Sequence, residues 1–287
     1  MMSSASRFLF VASLFAGPWA CGVSDPPAAK PVAVDIPFEA RVGAEPFACG
    51  RVYTGLGTTA TTYEPKDFRV YVHDVRLVTA EGMEVPVSLT DDDVWQYSGA
   101  ALLDFADRTG ACSDGTAAMN SHLVGTVPEG DYRGLRFTIG VPLALNHQNA
   151  TFAPRPFKDT SLFWSWRTGY FFTRIEGNTK GLPSGHNMHL GSTDCPIVDK
   201  DNPPTGCTYP NTVPVDLMGF VPGQGKVVLD LARLFEGSNL DLNAPSTSVG
   251  CMASQQDADC GPLFHQLGLA FGTQAANPKG QVFARWE

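Results

Sequence analysis

The chain has 287 residues, 43% of them apolar, which is enough to bury a full core, while 29 glycines and 22 prolines leave few windows for long helices. A formal charge of −9 and a pI near 5.1 argue against a nucleic-acid partner, because neutralising phosphates needs a basic stripe and none is present.

The first segment carries Arg7, an apolar run over residues 8–16, and then Ala20-Cys21-Gly22. A charged start, a run too short to span a bilayer and a small residue at its end form the pattern of a cleaved export signal. Residues 1–20 are read as that signal and the mature protein as exported, to the periplasm or, with Cys21 acylated, to the outer membrane or cell surface as a lipoprotein. Pro18-Trp19 departs from the usual lipid-attachment context, and the alternative for Cys21 is a free thiol. Residues 21–33 hold prolines that favour an extended linker, so the folded domain is expected over 34–287.

Strand character follows at 34–42, 68–78, 132–141, 163–176 and 226–231, separated by Gly, Pro, Asn and Asp clusters. The run 68–78 alternates, with Phe68, Val70 and Val72 on one face and Arg69, Tyr71 and His73 on the other. Short helical turns fit 231–236 and 262–267. These features predict an all-β protein, an antiparallel β-sandwich or distorted barrel, with long loops at 177–186 and 195–211.

Apart from Cys21 there are six cysteines, an even number suited to an oxidising compartment. Cys195 with Cys207 and Cys251 with Cys260 are close neighbours in sequence, which leaves Cys49 with Cys112. A thiolate metal site is the weaker alternative, since no Cys-x-x-Cys pair occurs.

Two features could carry chemistry. Trp164-Ser165-Trp166 would place two of the five tryptophans on one face if 163–176 is a single strand. The six histidines are the other. His73 sits beside Asp74, and His147 projects from the loop after an apolar run. His186 and His189, three apart on a strand, would face opposite ways and not chelate one ion together. Asp91-Asp92-Asp93, Asp199 with Asp201, and Asp257 with Asp259 lack calcium-loop spacing and read as solvated acids. There is no nucleophile elbow, zinc-protease motif, phosphate loop or dinucleotide fingerprint.

Phe38-Glu-Ala-Arg-Val-Gly, Phe47-Ala-Cys-Gly, Tyr71-Val-His-Asp-Val-Arg-Leu77, Gly140-Val-Pro-Leu-Ala-Leu-Asn-His147, Trp164-Ser-Trp, Arg174-Ile-Glu-Gly177, His189-Leu-Gly-Ser-Thr193 and Asp259-Cys-Gly-Pro-Leu-Phe264 occur in that order. Together they resemble the MbnP/CorA copper-binding proteins, also known by a four-cysteine motif. The resemblance implies an exported protein that binds one Cu(I) through histidines and a kynurenine formed from the first tryptophan of Trp-x-Trp, here Trp164. It also implies an oxidising partner like a di-haem cytochrome c peroxidase of the MauG type. This chain has no Cys-x-x-Cys-His for haem attachment. Within the matched motifs, His73 and His147 are the expected ligands and His189 the next candidate. The copper would go on to a transporter or a chelator. The Cys195–Cys207 pair exceeds the four-cysteine pattern. Two other functions compete: a copper redox enzyme, and an adhesion-type sandwich without metal whose Trp pair is core.

Overall fold

The computed structural model describes residues 30–165, 167–196 and 202–287. The expected signal, Cys21, most of the linker, Trp166 and the middle of the Cys195–Cys207 loop lie outside the described residues. Two sheets pack face to face as a sandwich, not as a closed barrel. The first holds β1 (Pro31–Val42), β2 (Glu45–Pro46), β6 (Ser88–Leu89), β9 (His122–Pro128), β16 (Val227–Asp230) and β17 (Ala284–Trp286). The second holds β3 (Tyr53–Leu56), β4 (Thr61–Thr79), β5 (Glu84–Pro86), β7 (Gln96–Tyr97), β8 (Ala100–Asp104), β10 (Tyr132–Ile139), β13 (Thr173–Thr179), β14 (His186–Leu190) and β15 (Val213–Met218). A separate ribbon pairs β11 (Phe163–Ser165) with β12 (Gly169–Tyr170).

Period-two patterning builds the core. Val34, Ile36, Phe38, Ala40 and Val42 of β1 point inward, as do Val213, Val215 and Leu217 of β15. The pairing is antiparallel except between β1 and β16, which run parallel with Phe38 opposite Val227. Strand β1 begins at Pro31 rather than 34, because residues 31–33 already pair with β9. The expected single strand over 163–176 is broken: β11 stops at Ser165, Arg167 and Thr168 turn, and the chain re-forms as β12 and β13. Gly169 adopts φ +82° there, and a Cβ on it would lie 2.3 Å from Asn146 Oδ1, so both the turn and the packing require glycine. Helices α1 (Leu143–Asn146), α2 (Leu231–Leu234) and α3 (Cys260–Gln266) are short. No helix among the described residues is long and apolar enough to cross a membrane. The disulfides are Cys49–Cys112, Cys195–Cys207 and Cys251–Cys260.

Candidate metal site at a fork in the second sheet

The central strand β4 changes neighbours midway. Arg69 pairs with Arg174 of β13 on one side and Asp104 of β8 on the other. His73 pairs with Thr138 of β10 on one side and Ala100 of β8 on the other. Since β8 runs unbroken between these points, β13 and β10 occupy the same edge of β4 in succession. The switch falls at Tyr71, whose N–H donates to Phe172 O (2.8 Å) while its carbonyl accepts from Gly140 N–H (2.9 Å). The chain between them, 140–172, is one excursion over the outer face of β4, and it carries both His147 and Trp164.

His73 stands two residues beyond the fork on that outer face. The register with β10 slips between Arg136 and Thr138, giving β4 an extra residue, and Asp74 takes φ +51°. Such a bulge re-aims the side chain beside it. His73 Nε2 is buried without a hydrogen-bond partner among the described residues. Burial pushes its pKa down against the pull of Asp74, which favours the neutral imidazole that a metal needs.

Tyr71 anchors the excursion. Its ring stacks on Phe157 (5.2 Å) and meets Tyr170 edge-on (6.0 Å), and its hydroxyl donates to Pro156 O (3.1 Å). Tyr170 N–H donates to Asn146 Oδ1 (2.8 Å), which pins the end of α1, and His147 follows as its C-cap residue, buried. On β11, Phe163 packs on Tyr170 (5.0 Å) while Trp164, half-buried, turns the other way onto Phe171 (5.1 Å). The Trp164 ring also lies over Gly191, where a Cβ would be 3.7 Å from it.

His189 reaches the same neighbourhood from β14. Its ring lies 4.6 Å from Phe171, and its Nε2 is 2.7 Å from Glu176 Oε1, so one ring nitrogen is committed to a carboxylate. His186 faces the opposite way, against Phe235 (6.0 Å), as alternation requires. Beside His189 lies an ion network whose pairing no sequence motif marks. Arg174 Nε donates to Glu176 (2.7 Å) and lies 3.3 Å from Asp67; Arg69 Nε donates to Asp67 (2.8 Å), and Arg69 Nη1 donates to Asp159 (2.9 Å). Burial disfavours the Glu176 anion, but bonds from His189 and Arg174 outweigh it and hold its pKa at about 2. Burial lifts Asp104, opposite Arg69, to about 7. The signal for this network was the alternation that set Arg69 on the face of Tyr71 and His73.

His147, Cys195 and Cys207 also converge, their ligand atoms all within 4.8 Å of one another. The two sulfurs are bonded to each other, so in this state the group offers one imidazole and no thiolate. His122 lies at the surface beside Asp35 (2.8 Å), and His265 is 2.6 Å from Gln274. A surface groove lined by Arg76, Glu84, Arg136 and Trp286 has Asp74 in its wall but none of the four candidate ligands.

The MbnP family profile matches residues 31–253. The chain belongs to the MbnP family. Among solved structures it is similar to MbnP from Methylosinus trichosporium, at 30% identity and a TM-score of 0.80, covering 89% of this chain and 98% of that one. A comparison with curated protein sequences finds no match. Membership in the MbnP family supports a copper-related role and fits a metal-associated protein rather than an enzyme.

Proposed function

We propose that this chain is an exported Cu(I)-binding protein, a carrier rather than a catalyst, whose site combines the His73 and His147 imidazoles with an amine made by oxidising Trp164 to kynurenine. The observation that carries this reading is the buried His73 Nε2, left without a hydrogen-bond partner among the described residues at the fork beneath the segment bearing His147 and Trp164. An unpaired buried nitrogen costs free energy unless a ligand meets it. An intact indole gives its nitrogen lone pair to the ring and coordinates poorly; opening the ring frees an aniline-type amine. Neutral imidazoles and an amine, with no carboxylate, suit the softer monovalent ion.

The oxidant is a partner of the di-haem, MauG-like class, acting on a half-buried Trp164. His189, tied to Glu176, holds Phe171 in place as the wall on which Trp164 packs, and its other nitrogen is the reserve ligand. Export, with or without acylation at Cys21, places the protein where copper is first met, and a transporter or chelator would receive it. Peptide mass spectrometry across 157–174, on protein made with and without the di-haem partner and read beside copper content, tests this reading. The expected result is that Trp164 exchanges one carbon for one oxygen only with the partner present, and that copper follows. Tight copper binding with Trp164 intact would overturn it.

A further inference from the structure

The Cys195–Cys207 disulfide lies beside the proposed copper site, with Cys207 Sγ 3.7 Å from His147 Nε2. The backbone around it is also held by hydrogen bonds. Thr193 and Tyr209 exchange both backbone hydrogen bonds (2.9 and 3.2 Å), and Thr208 N–H donates to Asp194 O (3.0 Å). Ser192 Oγ donates to Pro210 O (3.1 Å), and Asn211 Nδ2 donates to Gly191 O (2.9 Å). This short ladder leads straight into the two cysteines, so with the bond broken they would still face each other next to His147. Asn146, whose Oδ1 accepts from Tyr170 N–H, has its amide nitrogen 3.4 Å from the same His147 Nε2.

We propose that reduction of Cys195–Cys207 opens a second, sulfur-rich site in which the two cysteine thiolates and the His147 imidazole hold one Cu(I). The reductant is a dithiol. One of its thiolates attacks Cys207 Sγ, the less buried sulfur, and Cys195 leaves as a thiolate; the second dithiol sulfur then attacks the mixed disulfide and releases Cys207. Two electrons and two protons pass from the dithiol to the cystine, and the dithiol departs as its own disulfide. Cu(I) then displaces the two cysteine protons and keeps its oxidation state. Two thiolates and one imidazole form a soft three-ligand set that suits Cu(I), whereas structural zinc takes four. His147 belongs to both ligand sets, so the thiol state of this pair decides which one holds the metal, which gives the protein a means of handover. The inference does not rest on oxidation of Trp164.

The test uses the full chain made without any oxidising partner, so that Trp164 stays intact. The protein is treated with dithiothreitol, freed of it anaerobically, and titrated with Cu(I) against a chromophoric Cu(I) chelator while the sulfur-to-copper absorption is followed. Reduced protein should bind one Cu(I) with that absorption and about tenfold or more tighter than oxidised protein. The absorption should vanish in the C195S/C207S variant and, as a control independent of folding, after alkylation of the reduced wild type. It should persist in C49S/C112S and in His73→Ala, while His147→Ala should weaken binding about tenfold. Equal binding by reduced wild type and C195S/C207S would overturn the proposal, as would a folded protein whose Cys195–Cys207 bond resists dithiothreitol. Loss of the absorption in His73→Ala would overturn the separateness of the two sites.

Discussion

Between Asp67 and Val72 the two faces of β4 are equally buried and held by different forces. Inward, Phe68, Val70 and Val72 are fully enclosed, and Phe68 meets Phe47 (5.2 Å), Phe105 (5.2 Å) and Phe283 (6.2 Å). Outward, Asp67, Arg69 and Tyr71 are no more exposed, yet each is fixed by ion pairs or hydrogen bonds to the covering excursion and to β13. Apolar contact is non-directional and tolerates exchange of similar volumes; a buried polar network has one geometry and fails as a unit. The outer face can therefore hold the excursion that bears His147 and Trp164 at a defined position, which a hydrophobic face alone would not specify.

The comparison breaks most sharply at Arg69. Arg69→Met keeps much of the volume but leaves Asp67 buried beside a single remaining cation, Arg174. We expect a loss of about 3–5 kcal/mol in urea unfolding, against about 1 kcal/mol for Phe68→Leu on the inner face. Equal losses would mean that the two faces are held alike.

Acid should act on the outer face through Glu176. Its folded pKa, about 2, lies below the ordinary 4.5, so its contribution is fully present above pH 4.5 and is lost as pH falls through about 2. That drop is worth roughly 3 kcal/mol, and Glu176→Gln should flatten the stability profile across this window. Asp104, raised to about 7 by burial, works in the other direction: stability declines as pH rises from about 4 to 7, and Asp104→Asn should remove that slope. Unfolding free energies measured from pH 2.5 to 7.5 check both signs.

The pattern of β4 was legible because Phe68 to His73 alternates without interruption, and that alternation correctly set Arg69, Tyr71 and His73 on one face. The bulge at Asp74 was not legible, since a positive φ at an aspartate has no distinctive residue code and arises from pairing with β10. The break inside 163–176 had a local sign in Thr168-Gly169, where Ser165 Oγ and Thr168 Oγ1 lie 2.6 Å apart across the turn, but the aromatic run outweighed it. The fork itself depends on which strands share an edge of β4. That is a long-range property, so it could not be read from the motifs that carry His73, His147 and Trp164. Glu176 and Arg174 were visible only as part of a motif, their charges giving no hint that they would be paired beneath a covering segment.

A smaller effect separates packing from polarity within a single ring. Tyr71→Phe keeps the stack on Phe157 and removes only the hydroxyl that donates to Pro156 O, leaving that carbonyl with the single longer bond from Asp159 N–H (3.3 Å). The expected cost is about 1 kcal/mol, with a matching increase in backbone amide exchange over 153–163 but not in the first sheet.

The smallest effect on stability should have the opposite sign. His73 carries a buried nitrogen that no described residue satisfies, so in metal-free protein it is a desolvated polar atom with nothing in return. Replacing it with leucine, of comparable size, removes that penalty, and His73→Leu should unfold at equal or higher urea than wild type, by up to about 1 kcal/mol. The same variant, made with the di-haem partner, should lose tight Cu(I) binding while Trp164 is still oxidised. A residue whose removal stabilises the fold and abolishes the ligand is held in place by function rather than by folding. A large destabilisation on His73→Leu would instead assign the imidazole to the structure of the outer face, alongside Arg69 and Tyr71.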